Sequence, residues 1–333
     1  DSQFLNVTFN DFEAKSAKVK TIQLFQKLIK RHQGNKTPNA FLYAESQRIA
    51  YLKNNGQIDD KESLLLKTLN NVFERYKGQS GSEFLAEELI NQYKWNTDNE
   101  YDLRKAEAIC QAMIEVDRNS KYFKGVLTSL QAKELNISMD GIILPNQAAF
   151  STISFQNMTQ VWFKIVELSE EDIIERNGRG EDQISKYLNL PVIAAFDYSL
   201  ADQNYLSVKK ALFDLPQLGA GHYAIIASTS PDFNMDKDKL RMGKFWVSRL
   251  QLISRGNDGD FLVVDRETGK PIDKAKVEVY SSQWEYSTRT NLTKLEETIT
   301  SAKDGSFRYL NVNGKQITFK ISKGQDEWKS GNV

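Results

Sequence analysis

Apolar residues recur at helical spacing through the first 135 or so residues and at strand spacing after that. Phe12, Val19, Ile22, Phe25, Leu28 and Ile29 form a first stripe, with Lys18, Lys20, Lys27 and Lys30 largely between them. Thr37-Pro38 predicts a second helix start, because a Thr oxygen caps free N–H groups and Pro fits the first turn. Its stripe is Phe41, Leu42, Glu45, Ile49 and Leu52, ending at Asn54-Asn55-Gly56. Asp59 or Asp60 opens a third through Leu65, Leu69, Val72, Phe73 and Tyr76, stopping near Gly78. Ser82 opens a fourth, with Phe84, Leu85, Leu89, Ile90 and Tyr93. Leu103, Ala106, Ile109, Cys110 and Met113 mark a fifth, and Tyr122, Phe123, Val126, Leu127 and Leu130 a sixth. Helices with short loops predict stacked hairpins, each burying a stripe that it cannot bury alone. The second, fourth and sixth starts lie about 40 residues apart, a loosely tetratricopeptide-like (TPR-like) spacing without the strict repeat signature. Residues 1–135 are therefore read as a helical-hairpin module.

After Leu135 strands take over. Asp140-Gly141 introduces Ile142, Ile143 and Leu144; the runs Phe150–Phe155 and Val161–Val166 are rich in β-branched and aromatic residues. The polar stretch from Glu170 to Leu190 reads as an exposed insertion containing short helices, and Leu206, Val208 and Lys210 as a strand. Gly221–Ala227 reads as a strand buried on at least one face, closed by Pro231 and Asp232. A third unit is expected from Gly243, with the turns Asp258-Gly259, Thr268-Gly269-Lys270-Pro271, Asp304-Gly305 and Asn313-Gly314. Glycine supplies the positive φ that such tight turns require. The period-2 run Ala275–Tyr280 sits among them, and regular short strands with these turns predict a sandwich of roughly seven strands. The expected architecture is α then all-β: a helical module over 1–135 and antiparallel β-sandwiches over 136–242 and 243–333.

Composition narrows the function classes. The chain has 333 residues, 40% hydrophobic and 26% charged, as ordinary globular proteins do. Lys plus Arg equals Asp plus Glu at 44 each, so no excess positive charge draws a polyphosphate backbone, and nucleic acid is not an expected partner. No apolar run approaches the roughly 20 residues that cross a bilayer. The opening Asp1-Ser2-Gln3, without Met, reads as a mature or an engineered start, the former after removal of an export signal. The one cysteine, Cys110, excludes an internal disulfide framework and a multi-Cys zinc site, and only two histidines, His32 and His222, are present. No cofactor is expected.

One segment resembles a known family. Asp265-Arg266-Glu267-Thr268-Gly269-Lys270-Pro271-Ile272, Ala275–Tyr280 and Thr300–Phe307 are similar to a sandwich pattern of carboxypeptidase regulatory-like and macroglobulin domains. Phe245–Arg255 resembles the opening strand of a macroglobulin domain in bacterial alpha-2-macroglobulin-like proteins. Trp162–Val166 and Leu215–Ile226 resemble that family's first macroglobulin domain. The resemblance covers 140–333 by motif and 1–135 by texture. It implies the N-terminal region of an exported protein of the periplasm or cell envelope, tethered through a removed lipid signal. It also implies protein partners, with proteases trapped by the full-length molecule. The family's thioester needs Cys followed three positions later by Gln; Cys110-Gln111-Ala112-Met113 has Met there, so the thioester is absent from this chain.

The remaining candidate residues have simpler readings. His222 reads as a packed strand histidine, His32 as a favourable charge at a helix C-terminus, and Cys110 as a core thiol. Gly219-Ala220-Gly221 and Gly178-Arg179-Gly180 lack the strand–helix context of a phosphate loop and read as turns. Asp232, Asn234, Asp236 and Asp238 have the spacing of part of a calcium loop, but Lys237 and Leu240 occupy the places of its Gly and Glu, so a solvated loop is expected. Glu170, Glu171 and Asp172 read as an exposed charged loop; Asn6, Asn35, Asn136, Asn157 and Asn291 begin glycosylation sequons. Trp284 and Tyr286, flanking a loop of the last sandwich, are the partner-contact candidates, able to stack on a sugar or a protein, with core packing or loop anchoring as the simpler reading. The leading expectation is a non-catalytic scaffold. The alternatives are an envelope module binding a glycan or protein, and, behind it, a hydrolase with an unrecognised site.

Overall fold

A computed structural model describes all residues except 1, 11–14, 58, 96–101, 170–179, 201–205, 257–258, 286–289, 311–315 and 332–333. Helices come first: α1 Ser2–Leu5, α2 Ala17–His32, α3 Asn39–Asn55, α4 Lys61–Tyr76, α5 Ser82–Trp95, α6 Asp102–Val116 and α7 Lys121–Gln131. Phe12 lies outside the described residues, and α2 begins five positions after it. Thr37-Pro38 does mark the start of α3, yet no side-chain cap forms there; Pro38 is the cap residue and its carbonyl accepts from the Leu42 amide. Asp60 likewise precedes α4 in a left-handed conformation without capping it, whereas the Ser120 hydroxyl accepts from the Phe123 amide at the head of α7. Each stripe supplies one shared core in which Ile29, Leu42, Ile49, Leu69, Phe73, Leu85, Leu89 and Cys110 are buried. Glu45, on the apolar face of α3, is buried as an ion pair: the Arg48 guanidinium donates to it at 2.5 Å and lies 4.6 Å over the Phe4 ring. Leu206, expected in a strand, is instead buried in this helical core.

The helices are followed by antiparallel sheets arranged as sandwiches. The strands are β1 Glu134–Ser138, β2 Ile142–Ile143, β3 Ala149–Gln156, β4 Gln160–Glu167, β5 Val192–Ser199, β6 Lys209–Leu215, β7 Gly221–Ser228 and β8 Leu240–Val247. One sheet has the order β1-β3-β6 and the other β2-β8-β7-β4-β5. All pairs are antiparallel except the two-residue β2, which runs parallel to β8. Between the sheets Phe163 stacks on Phe213 at 4.5 Å and on Phe196 at 4.9 Å, joined by Ile153, Ile165, Ile225 and Phe245. The position expected to open a third unit, Gly243, falls inside β8, which pairs with β7 from Leu240 to Val247.

The stretch read as an exposed insertion contains α8, Gly180–Leu188, and this helix is packed rather than exposed. Its Ile184 and Tyr187, one turn apart, are buried with Val166, Ala224, Ile226 and Phe233 on the outer face of the five-stranded sheet. Lys244 lies 4.9 Å over the Tyr187 ring and Lys164 4.3 Å over Phe233, so two cations on that face are covered by aromatic faces.

The second sandwich is built from β9 Leu250–Arg255, β10 Asp260–Asp265, β11 Lys276–Glu285, β12 Thr290–Thr300, β13 Ser306–Arg308, β14 Gln316–Lys323 and β15 Asp326–Lys329. Its sheets have the orders β13-β10-β9 and β12-β11-β14-β15, seven strands among the described residues. Phe261, Phe307 and Phe319 meet in its core with Val263, Val277, Val279 and Ile321. Its turns are tied by short-range side-chain bonds. Asp265 accepts from the Thr268 amide and hydroxyl at 2.8 and 2.9 Å, and Asp304 accepts from the Ser306 amide and hydroxyl at 3.1 and 2.6 Å. Gly305 has φ +75, and a Cβ there would clash with the Val263 carbonyl oxygen, so only glycine fits.

Candidate functional site

The end of the β11–β12 hairpin is the feature that most departs from a closed sandwich. Alternation along β11 turns Val277, Val279 and Ser281 inward and Tyr280, Ser282 and Trp284 outward. β14 covers β11 only from Lys276 to Ser282; Gln283, Trp284 and Glu285 pair with β12 alone, opposite Leu292, Asn291 and Thr290. The hairpin therefore continues past the sheet as a two-stranded ribbon.

A β-bulge decides what this ribbon displays. The register shifts between Val279, opposite Glu297, and Tyr280, opposite Leu295. Glu296 is skipped, and its carboxylate accepts from the Ser281 hydroxyl at 2.6 Å. Without the extra residue Leu295 would share the inward parity of Ile299; with it, Leu295 faces outward beside Tyr280. Trp284 and Leu295 are consequently 45% and 46% exposed on one face, and Leu292 is 56% exposed on the other. Lys329 lies 5.6 Å over the Tyr280 ring at the border of this apolar face. Tyr286 lies outside the described residues. Leu295 is not evident from sequence, because a bulge leaves no composition mark of its own.

A second feature is the link between the two sandwiches. Only Ser248 and Arg249 separate β8 from β9. The Ser248 hydroxyl accepts from the Leu250 amide, and the Arg249 amide donates to Asp326 at 2.8 Å. The Arg249 guanidinium donates to Asp265 at 2.7 Å and to Glu267 at 2.9 Å, while the Gln147 side-chain carboxamide of the first sandwich donates to Glu267 at 2.9 Å. The Arg249 guanidinium, helped by the Thr268 amide and hydroxyl, holds the Asp265 carboxyl well below the usual carboxylate range against the opposing effect of burial. Asp265 thus belongs at once to its own turn and to this joint.

The other candidates take structural places. His222 is buried on the outer side of β7 with its ring stacked on Trp246 at 4.2 Å, and its carbonyl accepts from the Leu168 amide. His32 is the last residue of α2. Cys110 is fully buried; burial pushes its thiol up to about 11, so a nucleophilic thiolate is disfavoured. The acidic loop is closed on itself: Asp238 accepts from the Ser230 hydroxyl at 2.6 Å and the Asn234 amide at 2.7 Å, and Asn234 accepts from the Asp236 and Lys237 amides. Among the described residues no cluster of three or more His, Cys, Asp or Glu has metal-binding geometry. Likewise among them, no helix is long and apolar enough to cross a membrane. Glu170, Glu171, Asp172, Gly178 and Arg179 lie outside the described residues.

Comparisons with known proteins place these features beside solved structures. No family profile and no curated protein matches the chain. Among solved structures, the chain is similar to native alpha-2-macroglobulin from Escherichia coli spanning domains NIE-MG1, with 13% identity and a TM-score of 0.43, over 60% of this chain and 97% of that one. A longer segment of the same protein, spanning MG0-NIE-MG1, gives 12% identity and a TM-score of 0.43 over 60% of this chain and 64% of that one. Red sea bream transglutaminase aligns at 8% identity and a TM-score of 0.28, over 65% of this chain and 34% of that one.

Proposed function

We propose that the chain is a non-catalytic scaffold, the N-terminal region of an exported macroglobulin-like protein of the periplasm or cell envelope. In this reading it comprises a helical module over 1–135 and two macroglobulin-like sandwiches, whose boundary, expected at 242/243, lies instead at Ser248–Arg249. The observation that carries the reading is the two-residue joint, bonded through Arg249 to Asp265, Glu267 and Asp326. Sandwiches joined with so little slack suit a protein whose work is to hold surfaces in fixed order. The outward face of the β11–β12 hairpin, with Trp284 and Leu295, is the surface offered to a protein partner, its half-exposed aromatic the natural anchor. A protease captured by the full-length molecule is the partner that the sequence resemblance implies. A removed lipid signal would provide a membrane tether.

The test uses the protein expressed from its whole gene. Incubation with an endopeptidase is expected to protect large protein substrates while small peptide substrates are still cleaved. Unchanged cleavage of both would remove the inhibitor reading, and labelling of the purified chain by an activity-based hydrolase probe would remove the non-catalytic one. The exposed indole of Trp284 also favours a second reading, an envelope module that binds a glycan or protein. Glycan-array signal abolished by Trp284→Ala would select it.

A further inference from the structure

Where β3 turns into β4, the first sandwich carries a pocket of about 410 Å³ lined by Lys133, Asn157, Thr159, Gln160, Trp162 and Thr229, within the usual range for small-ligand sites. Its construction follows from the strand pattern. Along β4 Val161, Phe163 and Ile165 face the core, so Gln160 and Trp162 are turned to the opposite side. Asn157 makes the preceding turn in a left-handed conformation, φ 54, which asparagine tolerates better than most residues. Trp246 is the other tryptophan on the outer side of this sheet, and its indole is buried against His222. Trp162 stays half-buried and lines the cavity.

The polar groups around Trp162 are already oriented. The Gln160 carboxamide donates to Asp197 on the neighbouring strand at 2.7 Å, which directs its carbonyl oxygen away as an acceptor. The Thr229 hydroxyl oxygen accepts from the Lys239 amide at 3.0 Å, which leaves its own O–H to donate elsewhere. Lys133 adds a further donor to the lining. The lining combines an aromatic side chain with donors and acceptors in close mixture and a single charged group. A multiply charged anion would meet only one cation, and a purely apolar ligand would leave the amides and hydroxyls without partners. A sugar ring satisfies both sets, through an apolar C–H face and a rim of hydroxyls.

We infer that this pocket binds a neutral saccharide ring packed against Trp162, with its hydroxyls held by Gln160 and Thr229. The site is independent of Trp284 and of the scaffold reading. The test is saturation-transfer NMR on the whole chain with glucose, galactose, N-acetylglucosamine and maltose as probes. One or more of these is expected to bind with a millimolar Kd. Trp162→Ala should weaken that binding by about ten-fold or more. Because Trp162 also packs against buried neighbours, Gln160→Ala serves as the milder variant and should weaken it several-fold with the fold intact. Trp284→Ala should leave it unchanged. Silence from all four sugars, or binding that survives both pocket variants, overturns the assignment, as does sugar binding lost only in Trp284→Ala.

Discussion

The two sandwiches hold their sheets by different means. In the first, the five-stranded sheet is covered by the phenylalanine stack inside and, over parts of β4, β7 and β8, by α8 outside. The groups that meet there are far apart in sequence: Phe163 touches Phe213, and Tyr187 lies under Lys244. In the second, much of the ordering is local. Asp265 accepts from Thr268 three positions on, and Asp304 from Ser306 two positions on. The outer face of its four-stranded sheet bears the exposed Trp284 and Leu295. The difference teaches that a sandwich can be specified by its turns or by its packing, and that the two kinds fail in different ways.

Truncating the central aromatics should produce the largest effects. Phe163→Ala and Phe319→Ala are each expected to cost about 3–5 kcal/mol in urea unfolding. Hydrogen exchange should show the loss confined to the sandwich that carries the change. Similar exchange in both sandwiches after either substitution would break the comparison and make them one cooperative unit. Gly305→Ala is next, at about 1–3 kcal/mol, because it combines positive φ with the clash on the Val263 carbonyl. Faster exchange in β10 and β13, with β4 and β7 unchanged, would support turn-based ordering.

Acid should separate the two sandwiches by a smaller margin. The folded-state pKa of Asp265 is depressed, so its contribution is fully present above the unfolded carboxylate value of about 4 and is lost as pH falls towards the folded value. The second sandwich should therefore lose protection on going from pH 6 to pH 3, and Asp265→Asn should flatten that difference. An unchanged pH profile in the variant would show that Arg249 does not act through this carboxylate. The smallest effect is expected from Trp284→Ala, within about 0.5 kcal/mol of the parent, since the side chain leans on so little. A larger loss would mean that the ribbon is a structural brace and not a contact surface.

The same contrast explains what is legible in the sequence. The helical stripes and the second sandwich's turns depend on residues within a few positions of each other, and their patterns stand out at Leu85, Leu89 and Ile90 or at Asp304-Gly305-Ser306-Phe307. β5 escapes a sequence reading although Ala194, Phe196 and Tyr198 alternate inward, because its alanines are weak strand formers and no turn motif flanks it. α8 reads as exposed because its two buried residues, Ile184 and Tyr187, sit in a polar run, and only the sheet beneath makes them core. At the candidate surface, Trp284 is legible as an isolated aromatic. Leu295 is not, since its orientation depends on the skipped Glu296. The role of Arg249 is hidden for a similar reason, as Asp326 lies 77 positions away.

The joint at Ser248–Arg249 has a mechanical consequence. Tension along the backbone would pass from β8 to β9 with almost no spring between them. Twisting one sandwich against the other would strain the Gln147–Glu267 bond before it could bend a loop. A displacement of one sandwich would therefore be felt by the other with little lost in between.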